Sequence, residues 1–213
     1  MNSRNLIATV AFLVLAGIGH LNGQTTLNYS STNNSSILFP GDTTFSFSPG
    51  VDNFHITSGT AAGLLGEMTG TFNIGTITTI GNVQAALVTG DGTFVVHDGG
   101  FNLSATLTWV NIAQFGSGDS LNLAGVVNLT GITYAGSNPD LDALAAAGSA
   151  TNVLSFQFVP AVSLATLRDG PGPNSTSFSG TVFVPEPGTT SLIVLGLGAL
   201  TSAIGWRKKK STE

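Results

Sequence analysis

Hydrophobic and polar residues alternate along much of the chain with a period of two. The clearest run is 101–109, where Phe101, Leu103, Ala105, Leu107 and Trp109 interleave with Asn102, Ser104, Thr106 and Thr108. Successive side chains of a strand point to opposite faces, so this pattern predicts a strand with one buried face. Residues 43–48 alternate in the same way. So do 153–159, with Leu154, Phe156 and Phe158 on one face, and 177–184, with Phe178 and Val182 on one face. Shorter β-rich runs cover 74–80, 83–89, 93–97 and 121–134. Turn chemistry separates them at Pro49-Gly50, Gly90-Asp91-Gly92, Asp98-Gly99-Gly100, Gly116-Ser117-Gly118-Asp119 and Asp169-Gly170-Pro171-Gly172-Pro173. Gly supplies positive φ at such points and Pro presets a turn. One short helix is expected, with Asn138 as cap, Pro139 in the first position, Asp140 at the positive end of the dipole, and Gly148 as the stop. The expected fold is all-β: an antiparallel β-sandwich or barrel-like body, residues 24–183, with one short helix. No internal repeat accounts for the Thr-Gly pairs, which are irregularly spaced.

Two stretches break the alternation. Residues 6–18 are continuously apolar, follow Arg4, and lead to the small residues Gly19 and Gly23. A run of about 13 residues is short for a bilayer span but fits the apolar region of a secretory signal. Residues 1–23 are therefore expected to form a signal helix, with the mature chain starting at Gln24. The second stretch is 184–213. Val184-Pro185-Glu186-Pro187-Gly188 cannot continue a strand or a helix. Residues 189–206 carry no charge, and as a helix they would reach about 27 Å, close to the hydrocarbon thickness. Arg207, Lys208, Lys209 and Lys210 follow as a basic stop that favours the cytoplasmic side, with Trp206 at the interface. A C-terminal transmembrane helix over 189–206 is the expectation.

Pro185, Glu186 and Pro187, then the apolar segment, then Arg207 to Lys210, resemble the C-terminal signal of PEP-CTERM proteins. The resemblance covers roughly the last thirty residues. It implies a processing partner, an exosortase: a membrane-embedded, cysteine transpeptidase-like enzyme for which this chain is substrate. It also implies a Gram-negative-type envelope and an association with exopolysaccharide. The expected itinerary is an exported precursor anchored in the inner membrane through its C-terminal helix, then the envelope surface or extracellular matrix. An ordinary single-pass anchor that is never processed is the alternative.

Charge narrows the partners. Only 8% of residues are charged, against roughly 25% in typical soluble domains. Between residues 24 and 184 a single Arg168 faces eight Asp and one Glu, a formal net charge of −8. Phosphate backbones would repel such a body, so nucleic acid is not an expected partner. Divalent cations and neutral glycans, including extracellular polysaccharide, are compatible. With no cysteine, disulfides and thiolate chemistry are excluded.

Catalysis has little to build on. His55 and His97 are the only histidines outside the signal, Glu67 the only glutamate of the body, and no Gly-x-Ser-x-Gly or His-Glu-x-x-His is present. No enzyme activity and no cofactor are expected, calcium apart. Asp140 and Asp142 offer two hard oxygen donors two residues apart, but most aspartates stand where Asp caps turns. Trp109, Tyr29 and Tyr134 are the candidates for a glycan platform, although Trp109 continues the apolar face of its strand. The leading expectation is a non-enzymatic surface or matrix protein. A glycan- or calcium-binding module and a secreted hydrolase are the competing classes.

Overall fold

The computed structural model describes residues 25–117 and 120–184. The expected signal helix and the expected transmembrane helix lie outside the described residues. Among the described residues, no helix is long and apolar enough to cross a membrane.

The body is antiparallel β-structure. Its strands are β1 (Thr26–Ser31), β2 (Ser36–Phe39), β3 (Thr44–Ser48), β4 (Phe54–Ile56), β5 (Leu65–Ile74), β6 (Thr78–Ile80), β7 (Val83–Thr89), β8 (Asp91–Asp98), β9 (Phe101–Ser117), β10 (Ser120–Thr133), β11 (Ser149–Phe156), β12 (Asn174–Thr176) and β13 (Phe178–Phe183). Two helices interrupt them, α1 (Pro139–Ala147) and α2 (Leu164–Asp169). The expected helix is α1, capped by Asn138 and stopped by Gly148 at φ 70°. The expectation of a single helix is corrected by α2. Its Ser163 caps the Thr166 N–H at 3.1 Å. One and a half turns are too short to show a helical period in sequence.

The strands close on themselves. β1 pairs with β13, β13 with β11, β11 with β10, β10 with β9, β9 with β8, β8 with β5, β5 with β4, and β4 with β1. Eight antiparallel pairings thus form a ring, a barrel rather than a two-sheet sandwich. Closure removes the open edges that invite aggregation. Two free edges remain on strands appended to the ring, β6 and β12, and each is only three residues long.

Gly90-Asp91-Gly92 is not the expected turn. β7 and β8 form one bent strand, paired with β9 on one side and with β5 on the other. Gly90, at φ 120°, absorbs the bend, and a Cβ there would lie 2.7 Å from the Thr71 carbonyl oxygen.

Strand direction alternates around the ring, so its two ends can be told apart. One end carries the first residues of β1 and the last of β13, with Thr26 opposite Phe183 and the Val184 N–H donating to Thr25 O at 3.2 Å. The same end carries the connections 57–64, 99–100 and 134–148. The other end carries β2 and β3, β6 and β7, and the segment with α2 and β12.

Side chains fill an eight-stranded ring completely. Tyr29, Phe54 and Phe94 meet inside it, with centroids 5.0 Å apart for Tyr29–Phe54 and 5.1 Å for Phe54–Phe94. At the elaborated end, Phe45 stands edge-on to Trp109 at 4.8 Å and stacks on Phe39 at 5.2 Å. The two groups belong to one continuous core. Leu103, Ala105, Leu107 and Trp109 are buried as the alternation requires, but Phe101, at the strand's start, is 53% exposed. Glycine makes room for the rings: a Cβ on Gly125 would lie 1.8 Å from Trp109 Cζ3, and one on Gly180 2.3 Å from the Tyr29 hydroxyl. The Tyr29 hydroxyl donates to Asn152 Oδ1 at 2.9 Å, joining two fully enclosed polar groups. Burial pushes the Tyr29 phenol well above its ordinary value.

Two outcomes follow from this packing. Gly125→Ala forces Trp109 from its place, and overpacking of this kind costs about 1–3 kcal/mol, read as a lower denaturant midpoint at unchanged slope. Tyr29→Phe strands Asn152 Oδ1 and lowers stability near neutrality by about 1–3 kcal/mol. The phenol's folded pKa lies above its unfolded value of 10.0, so its contribution is complete below that pH and lost as pH rises beyond it. Melting temperatures should therefore fall more steeply above pH 10.0 for the wild type than for Tyr29→Phe.

Candidate functional site

At the end where the described body begins and finishes, at Thr25 and Val184, the three connections are tied to one another. Asp98 accepts a hydrogen bond from the Tyr134 hydroxyl, which itself accepts from the Asn138 N–H at 2.9 Å. Asn138 Oδ1 accepts from Thr60 Oγ1 at 3.0 Å, and its Nδ2 donates to Thr60 O at 3.1 Å. Asp140 Oδ2 accepts the backbone N–H groups of Thr60 at 2.5 Å and Ala61 at 3.2 Å. Gly59 is at φ 76°, and its missing Cβ leaves the room that Asp140 occupies. Partial burial and the Asp98 carboxylate hold the Tyr134 phenol above its ordinary range.

This network accounts for Asp140 as a clip between α1 and the 57–64 loop. Asp142, the other expected calcium donor, is exposed on α1. Among the described residues, no three His, Asp or Glu side chains gather as a metal-holding group. The nearest approach is at His97, whose Nε2 lies 3.6 Å from Asp52 Oδ1 and 3.9 Å from Glu67 Oε2, while its Nδ1 lies 3.2 Å from Asn102 Oδ1. The imidazole stands between the half-exposed Asp52 and the more covered Glu67 at ion-pair range, an arrangement of little energetic weight near water. His55, on β4, faces neither acid in a salt bridge.

Trp109 is buried, as its place on the apolar face of β9 led one to expect, and Tyr29 is no glycan platform either: both are 2% exposed and serve the core. Tyr134 packs against that core and spends its hydroxyl on Asp98 and Asn138. Sequence reasoning missed a shallow depression of about 430 Å³ on the outer wall, where β1, β13, β11 and β10 run side by side. Ser30, Asn122, Ser155, Gln157, Ser177 and Ser179 line it, over Leu123, Phe156 and Phe178. Its walls are fixed by Thr176 Oγ1 donating to Gln157 O at 2.6 Å and by the Phe178 N–H donating to Ser31 Oγ at 3.3 Å. Four strands contribute, so no linear motif announces it.

The remaining candidate is linear. Pro185, Glu186, Pro187 and the basic stop Arg207, Lys208, Lys209 and Lys210 lie outside the described residues, but their upstream boundary is well placed. Phe183, the last residue of β13, is paired with Thr26 on one side and Thr151 on the other. An all-antiparallel barrel is followed at once by a proline-flanked glutamate, an apolar run and a basic tail. The chain carries a PEP-CTERM protein-sorting motif: that family model matches residues 183–210, beginning on the last residue of β13. The match bears out the resemblance read from Pro185 to Pro187 and supports an exported protein sorted by exosortase. No curated protein and no solved structure matches the chain.

The clip assigned to Asp140 separates it from its neighbour. Asp140→Ala should cost about 1–3 kcal/mol, because two loop N–H groups lose their acceptor. Asp142→Ala should stay within about 0.5 kcal/mol, as a surface change does. Thermal unfolding of the two variants side by side measures the difference.

Proposed function

We propose that this protein is a non-enzymatic component of the cell surface or extracellular matrix, delivered through exosortase and associated with exopolysaccharide. The observation that carries the proposal is the sorting motif at 183–210, which begins where the folded body ends. In this scheme residues 1–23 direct export, residues 189–206 hold the precursor in the inner membrane, and Arg207 to Lys210 remain on the cytoplasmic side. Exosortase acts on the segment beginning at Pro185, and the barrel is passed to the envelope surface or the matrix.

The pairing of Thr26 with Phe183 supports this itinerary. Both address segments leave the barrel at one end, so a membrane-held precursor stands on that end. The connections there are tied to one another, while β2, β3, β6, β7, α2 and β12 lie toward the opposite end. The non-enzymatic part of the proposal rests on the sparse chemistry of the sequence: one body glutamate, two body histidines and no nucleophile motif.

Mass spectrometry of the protein isolated from its native cell tests the proposal. The expected main species starts near Gln24 and lacks residues 189–213. Substituting Pro185 and Pro187 together by Ala should shift the population to the uncleaved, membrane-bound form. Recovery of the intact C-terminal peptide as the main wild-type species would leave a plain membrane anchor instead.

A further inference from the structure

We infer that the depression on the outer wall, together with Phe115, is a binding site for a neutral glycan. Phe115 lies on β9 directly opposite Asn122 of β10, and it is 47% exposed. An apolar ring thus stands in water beside a groove whose lining is polar. Among the described residues, the polar part of the lining is hydroxyls and amides, with no ionisable group. Asn122 and Gln157 each present a carbonyl acceptor and an NH2 donor, and serine hydroxyls both give and accept. That set matches the vicinal hydroxyls of a sugar, while the C–H face of a pyranose ring covers an exposed aromatic face.

Charge points the same way. The body carries nine acids against one arginine, yet none of those among the described residues lines the groove. An anionic polymer finds no cation there, and a cationic ligand finds no carboxylate. A neutral ligand loses nothing by the arrangement. Ser155 and Ser179 are cross-strand partners, as are Ser179 and Ser30, so the hydroxyls stand in a row across three strands. Their spacing is set by the ladders, not by flexible loops, which limits the ordering that binding must impose. The groove also lies toward the end of the ring opposite the chain ends, where Phe178 and Phe156 are located. A membrane-held barrel would present it outward.

The proposal rests on the reading of the chain as an exported protein in contact with exopolysaccharide, but it is tested apart from sorting. Full-length protein purified in detergent is titrated calorimetrically with neutral oligosaccharides: malto-, cello-, laminari- and xylo-series, one at a time. The expected result is saturable binding to at least one series, unchanged by added salt because no charges are screened. Phe115→Ala and the double variant Asn122→Ala, Gln157→Ala should each weaken that binding by about tenfold or more, with far-UV circular dichroism unchanged. Thr93→Ala, on the opposite wall, should bind as the wild type does. Absence of binding to every neutral series overturns the proposal. So does binding that survives both groove variants, or binding confined to anionic polymers and abolished by salt. Mass spectrometric evidence for or against C-terminal processing leaves each of these outcomes standing.

Discussion

The structure depends on the insertion of β13 between β1 and β11. Before β13 is in place, both neighbours present unpaired N–H and C=O groups, and the ring is open. Once it is seated, Thr26, Phe183 and Thr151 stand in one row and the ladder is continuous. The strands joined this way come from opposite ends of the body, so loop closure must be paid for before the pairing stabilises anything. The sorting motif starts on the residue that completes this row. No spacer separates the fold from the tail, and a barrel with β13 seated holds the start of the motif in a fixed position.

Closure dictates what the interior can contain. A ring of eight strands leaves a narrow lumen, and here Tyr29, Phe54 and Phe94 share it with branched aliphatic chains such as Leu27, Val96, Leu107 and Leu154. The cost is that facing positions must be emptied: Gly66 for Phe54, Gly180 for Tyr29 and Gly125 for Trp109. In the polar pair Tyr29–Asn152, the phenol hydroxyl and the amide oxygen satisfy each other. Asn152 Nδ2 and Trp109 Nε1 find no acceptor among the described residues. Each such donor costs about 1–3 kcal/mol. The large apolar area of the surrounding rings offsets that loss.

How much of this was legible depended on whether the signal is local. β9 announced itself because Leu103, Ala105, Leu107 and Trp109 repeat long enough to exclude a helix. α1 did so through Asn138, Pro139 and Gly148. β1 shows the same alternation at Leu27 and Tyr29, but over too few residues to stand out. Gly90-Asp91-Gly92 carried ordinary turn chemistry, and only pairing on both sides shows that its positive φ bends a strand instead. The choice between sandwich and barrel turned on Thr26 meeting Phe183, a contact that no local pattern encodes. The sorting motif is a linear signal and could be read directly. The groove could not, since Ser30, Asn122, Ser155 and Ser179 come from four strands.

The scarcity of charge ties surface to function. The body's one arginine is spent internally: its Nε donates to Ile74 O at 3.1 Å and its Nη1 pairs with Asp169 at 2.6 Å, fastening α2 to the end of β5. Solubility then falls to hydroxyls and amides. Thr130, Thr106, Thr93 and Thr69 form a row across β10, β9, β8 and β5, with Thr69 and Thr93 hydrogen-bonded at 2.6 Å. Where the wall carries only hydroxyls and amides, its contacts change little with ionic strength. The same property would let it share water with a neutral polymer without electrostatic attraction or repulsion over most of the wall. Specificity on a wall of this kind must then come from shape and from the rare exposed ring, which is why Phe115 beside the groove carries more weight than any of the aspartates.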